Sequence, residues 1–273
     1  MKRLVLFLSV LALAFFTTQC KKQIKENDLS SEDVQLITKT DLITEDLVFS
    51  IESMFEQSAN RSSSNNSSNH HPSCVSITRN LSGDTLHVTF SFDPAGCQMP
   101  NGHTYTGTVD ILRIYNHTTH QATLEVTLSD DFSVDGIDAD GHFTRTHVWI
   151  NAAGHPESTV EFDLQVTWPN GDTATRTGTR TREWIEGYNT PGYHADDVWL
   201  ITGNWHIVQR NGDTYDITVT TPLRREFTCA YFVSGEMEII FNGETYLLDF
   251  GNGTCDNEAT LTLPNGNTVT ITL

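Results

Sequence analysis

The sequence predicts an all-β fold of antiparallel hairpin meanders, a sandwich or a curved open sheet, preceded by a signal peptide, one short helix and a flexible tether. Three observations carry this. Asn-Gly-x-Thr occurs five times, starting at Asn101, Asn170, Asn211, Asn242 and Asn265, and Asn-Gly between apolar runs is the strongest short hairpin signal. Between these turns apolar and polar residues alternate, the period of two that a half-buried strand requires. Thr is abundant beyond Cys74 and no long helical spacing interrupts it.

Further turns at Ser82-Gly83 and Asp135-Gly136 bring the expectation to about twelve to fourteen strands within 72–273, with 72–169 and 170–273 as two candidate halves. The clearest hairpin lies in 221–273. A two-residue turn at Asn242-Gly243 sets Ile239 opposite Tyr246 and Met237 opposite Leu248, on one face. That register carries Cys229 to within one residue of Cys255, and a bulge in 251–253 absorbs the difference. A disulfide between them is expected. The stretch 82–86 (SGDTL) parallels 242–246 (NGETY), and Phe92 stands before Cys97 as Phe250 stands before Cys255. A diverged duplication accounts for this and suggests Cys74–Cys97 as the second pair, although a turn at Ser82-Gly83 sets Cys74 opposite Ser91.

The formal charge of −19 repels nucleic acid and anionic membrane surfaces. Lys2-Arg3 followed by the apolar run 4–16 reads as a secretory signal, since the run is too short to span a bilayer. The Cys directly after it, Cys20, resembles the lipobox cysteine of bacterial lipoproteins, which is acylated and becomes the first residue. Gln19 departs from the Gly, Ala or Ser usual before that cysteine, and the alternative is an ordinary cleaved signal. The resemblance implies a signal peptide over 1–19 and attachment to a membrane, the outer membrane, through lipid on Cys20. It also leaves four cysteines, an even number that can pair fully.

The tether is 20–71. Leu47, Ile51, Met54 and Phe55 share a helical face, predicting a helix near 44–58 with Thr44 as N-cap and its apolar stripe on the β domain. The stretch 60–71 (NRSSSNNSSNHH) reads as low-complexity linker.

In the hairpin at Asn170-Gly171, a two-residue turn sets Val160, Phe162, Leu164 and Val166 on one face. Glu161, Asp163 and Gln165 then share the other with Arg176, Arg180 and Arg182. The arginine run reads as cross-strand charge pairing on a solvated face, each pair worth little; an anion-binding ladder is the alternative.

No catalytic motif is present: no Gly-x-Ser-x-Gly, His-Glu-x-x-His or phosphate loop. The acidic run 135–141 lacks the ligand spacing and closing Glu of a calcium loop. The eleven histidines show no spacing that converges on zinc, so no metal and no cofactor is expected. Trp184, Tyr188, Tyr193, Trp199 and Trp205 cluster around the loop 186–197. They are the candidate ligand contacts, for a glycan or a protein, with capping of the β core as the plainer role.

The segments 179–187 (TRTREWIEG), 211–215 (NGDTY) running on to Thr221-Pro222-Leu223, and 249–257 (DFGNGTCDN) resemble uncharacterised lipoproteins of the Bacteroidota over 74–273. The resemblance implies a β-rich cell-envelope lipoprotein and no assigned activity. The functional expectation is a non-enzymatic, lipid-anchored protein presenting a β domain for binding or structural interaction. The alternatives are a hydrolase acting on envelope or extracellular glycans and a carrier for a small ligand.

Overall fold

The computed structural model describes residues 29–59, 72–99, 102–118, 121–190 and 193–273. The expected signal peptide, Cys20 and the linker 60–71 lie outside the described residues. Among the described residues the chain order is one α-helix, α1 (Ser31–Ala59), then fourteen strands, with one short 3-10 turn at His194–Asp196. These are β1 (Val75–Ser82), β2 (Thr85–Gln98), β3 (Thr104–Asn116), β4 (Gln121–Leu128), β5 (Ser133–Val134), β6 (Ile137–Val148) and β7 (Glu157–Thr167). They continue as β8 (Thr173–Glu186), β9 (Val198–Gln209), β10 (Thr214–Glu226), β11 (Phe232–Phe241), β12 (Glu244–Asn252), β13 (Glu258–Thr262) and β14 (Thr268–Thr272). All belong to one antiparallel sheet in sequence order, with the short β5 paired to β3 and β6. The architecture is the curved open sheet, and the expected halves are joined without a break by β7 and β8, which pair along their length.

The curvature follows from what α1 touches. Gln35 donates to the Thr272 carbonyl at the β14 edge, while Ile43 and Leu47 border Tyr105 of β3. In a flat sheet at ~4.8 Å per strand, β3 and β14 would stand roughly 50 Å apart, several times the width of a helix. The sheet therefore curls around α1 as a trough. Among the described helix side chains, only Glu32, Gln35, Lys39 and Glu56 are exposed.

The helix is about twice as long as its apolar stripe predicts. Its true N-cap is Ser30, not Thr44. The Ser30 hydroxyl accepts the Asp33 N–H (3.1 Å) and the Asp33 carboxylate accepts the Ser30 N–H (3.0 Å), a reciprocal capping box. Thr44 lies mid-helix, its hydroxyl donating to the Thr40 carbonyl (2.8 Å).

Turn length decides the sheet's faces. At Asn242-Gly243 both residues have positive φ (53° and 78°), the type I′ requirement, and Ile239 pairs with Tyr246 as expected. Asn170-Gly171 behaves differently. The Trp168 N–H bonds the Asp172 carbonyl (2.9 Å) and the Gly171 N–H bonds the Trp168 carbonyl (2.8 Å), so the loop holds three residues, Pro169 first. Proline has no N–H to give to a ladder, so it cannot be the paired residue before a two-residue turn. It fits instead the first position of a type I turn, with Gly171 closing the loop at φ 84°. Leu263 and Asn267 bracket Pro264-Asn265-Gly266 by the same pair of bonds.

That one added residue overturns the expected register. Val160 pairs with Arg180 and Leu164 with Arg176, where the two-residue turn set Glu161 and Gln165. A slip of one residue moves every side chain to the other face. The arginines therefore lie on the concave face among Val160, Phe162 and Leu164. They are not surface charges: Arg176 is 0% exposed and Arg180 3%. Their partners are carboxylates of α1, not of β7. Arg176 lies 2.8 Å from Asp41, Arg180 meets Glu45, and Arg182 and Arg145 both reach Glu52 (2.7 and 2.8 Å).

Both disulfides exist, Cys74–Cys97 and Cys229–Cys255, with Cα atoms 5.3 and 5.8 Å apart. The bulge that brings Cys255 into place falls where Ser234 pairs with Asn252 and Glu236 with Asp249, setting Phe250 and Gly251 against Gly235. In the first hairpin the turn residues are Gly83-Asp84, so Val75 pairs with Phe92, and β2 shifts register between Phe92 and Cys97 to complete the pair.

Candidate functional site

α1 does not cover the whole trough. Its second half passes the β6–β7, β8–β9 and β10–β11 loops, where two cavities of about 360 and 240 Å³ flank Phe49. Phe49 sits two residues after Leu47, some 200° round the helix, so it points away from the core-facing stripe. It meets Trp199 (5.6 Å), His194 (5.8 Å) and Phe227 (5.9 Å) edge-on. Arg182 and Trp199 border both cavities, making them two halves of one cleft.

The smaller half is lined by rings. Trp184 stacks on Trp199 (6.1 Å, 29°), and Tyr188 stands across Trp184 (6.3 Å, 75°). Trp149, 72% exposed at the mouth, stands at a right angle to His147 (4.6 Å, 88°). The larger half adds Asp46, His103, Arg225 and Phe227, with Arg225 3.3 Å from Asp46.

The charges are unequally free. Glu52 is held by Arg145 and Arg182. Burial pulls on Arg182, but Glu52 and Glu45 outweigh it and raise the guanidinium above its ordinary value. Burial and then the two arginines push the His147 imidazole down to about 4, so it is neutral at physiological pH. Glu56 is exposed, yet desolvation by the cleft walls outweighs Arg145 and Arg182 and raises it; it has no hydrogen-bond or ion-pair partner among the described residues. Burial also raises Asp197 despite its contact with His194 (2.8 Å). The cleft thus offers ring faces, a neutral imidazole and one open carboxyl group, which are binding groups. Glu52, buried at the floor, is already neutralised by two guanidinia.

Of the aromatic residues singled out by sequence, Trp184, Tyr188 and Trp199 line the cleft. Tyr193 is 61% exposed on the β8–β9 loop and lines neither cavity. Trp205 belongs to the trough floor, under Arg180 (4.2 Å) and Arg176 (4.7 Å) as a cation–π partner. Phe49, Glu56, His147, Trp149 and Phe227 were missed. Trp149-Ile150 before the polar loop 151–155 was the available signal. Phe49 carried none, because the helix pattern marks it only as off the stripe.

The histidines sit mainly beside carboxylates, as in His87–Asp110 (3.2 Å), His206–Asp216 (2.7 Å) and His155–Glu183 (2.8 Å). Asp135, from the calcium-like run, accepts the Thr104 N–H and pairs with His103 (2.6 Å). Among the described residues no group of three or more metal-ligating side chains converges, and no helix is long and apolar enough to cross a membrane. Two disulfides are the cysteine usage of an exported, oxidising environment. No protein-family model, curated protein or solved structure matches the chain.

Proposed function

We propose that the chain is an exported envelope lipoprotein, anchored through Cys20, whose β domain presents the Phe49 cleft to a ligand and binds it without chemistry. The carrying observation is the cleft itself: ring-lined, open at the loop end of the trough, with Trp149 projecting at its mouth. The resemblance of 179–187 and 249–257 to Bacteroidota lipoproteins supports the address. A carrier needs an empty trough, and α1 fills this one. A glycan hydrolase needs a carboxyl pair free to work; in the ring-lined half Glu52 is engaged by arginine, Glu157 by Asn151 and Asp197 by His194, which leaves Glu56 without a second free carboxyl group. The test is a glycan and peptide binding screen on the detergent-solubilised full chain, read by tryptophan fluorescence. Tyr188→Ala and Phe227→Ala should weaken any ligand found. Binding that neither change affects would place the ligand elsewhere and overturn the reading, as would turnover of the ligand.

A further inference from the structure

We propose that the half of the cleft between Phe49, Trp149, Trp184 and Tyr188 is a saccharide subsite that takes an uncharged glycan. The inference rests on the binding role proposed above and names the chemistry of the ligand.

Charge disfavours an anionic ligand. Arg145 and Arg182 stand at the floor, each already matched by a carboxylate of α1. An anion gains nothing from these guanidinia, because Glu52 and Glu45 already occupy them. It would also meet Glu56 and Glu157 on the cleft walls. An uncharged ligand meets no such repulsion.

Shape and surface select among uncharged ligands. A wholly apolar molecule would strand the buried polar groups of the walls. A pyranose has an apolar face of C–H bonds and a rim of hydroxyls. Its face matches the exposed ring of Trp149 and the ring of Tyr188, which His155 supports at 5.6 Å. Its hydroxyls match Glu56, an exposed carboxyl group with no hydrogen-bond partner among the described residues. A volume of about 240 Å³ suits a short stretch of sugar.

The experiment uses the full chain in detergent with cellohexaose, xylohexaose and chitohexaose as probes, and polygalacturonate and a lysine-rich peptide as charged controls. Tryptophan fluorescence and the indole N–H signals in NMR report binding. Saturable binding of a neutral probe is expected, weakened at least tenfold by Trp149→Ala. Trp149 is exposed, so that variant keeps its core. Glu56→Gln, which still bonds a hydroxyl, should bind better than Glu56→Ala. Binding by a charged control alone, abolished by Trp149→Ala, would overturn the saccharide reading and leave the cleft's binding role standing. Failure of every probe would overturn the saccharide subsite. If a wider screen then yielded only ligands insensitive to Tyr188→Ala and Phe227→Ala, the cleft reading would fall with it.

Discussion

Arg176 of β8 and Asp41 of α1 lie 2.8 Å apart, and neither side chain touches solvent. Arg176 is also held between the rings of Phe162 (4.5 Å) and Trp205 (4.7 Å). Arg180 also reaches Asp41 (3.4 Å), so the carboxylate lies between two guanidinia. Burial nonetheless raises Asp41 and lowers Arg176 from their ordinary values. Such a pair adds little to stability over an apolar pair of the same size, but losing one member is expensive.

Arg176→Met should therefore cost about 3–5 kcal/mol, since it leaves Asp41 buried with only Arg180 nearby. Adding Asp41→Leu should recover at least half of the loss. Urea unfolding of the oxidised protein measures both. Losses that simply add would show that the pair is not the unit that matters.

Acid should weaken the fold through His147. Its folded value is about 4 against an ordinary 6.5. As pH falls, the unfolded chain takes up this proton first, so the stability gained from a neutral His147 is complete above about 6.5 and is lost on the way to 4. Asp41, Asp46, Glu56 and Asp197 are raised and act in the opposite direction. The difference between wild type and His147→Gln isolates the histidine. It should grow steadily more favourable to the variant between those two pH values; a constant difference would refute the assignment.

Cys229–Cys255 ties the β10–β11 loop to the β12–β13 loop across 26 residues. Replacing both with Ala should lower stability by roughly 3 kcal/mol in the chain-entropy picture. Non-reducing peptide mapping gives the direct check: a peptide joining Cys229 to Cys74 or Cys97 would contradict the fold's register.

Cys20→Ser should move the protein from the membrane to the soluble fraction, because lipid is the proposed attachment. Fractionation of cells expressing the variant decides it. Unchanged membrane association would remove the anchor from the account.

The strands, their order and the disulfides follow from local sequence. Alternation around Asn242-Gly243 is enough to pair Ile239 with Tyr246, because a type I′ turn leaves one register. At Asn170-Gly171 the same dipeptide gave the wrong register, and Pro169, with no N–H to pair, held the information. The helix showed only its apolar stripe. Its first half sets Thr38, Thr40, Asp41 and Glu45 beside Val34 and Ile37, and those four polar residues read as solvent-facing until a surface of opposite charge covers them.

Sequence by itself determined the β meander, its turns and which cysteines could meet, since each depends on residues close in the chain or on period-two pattern. Tertiary structure alone decided that α1 is the core of the trough and that Arg145, Arg176, Arg180 and Arg182 are its docking surface. It also decided that Phe49, Trp149 and Trp199 share one cleft. The contacts of α1 with these strands join residues about a hundred or more positions apart, and charge burial leaves no periodic trace in a chain that carries only one of the two partners at a time.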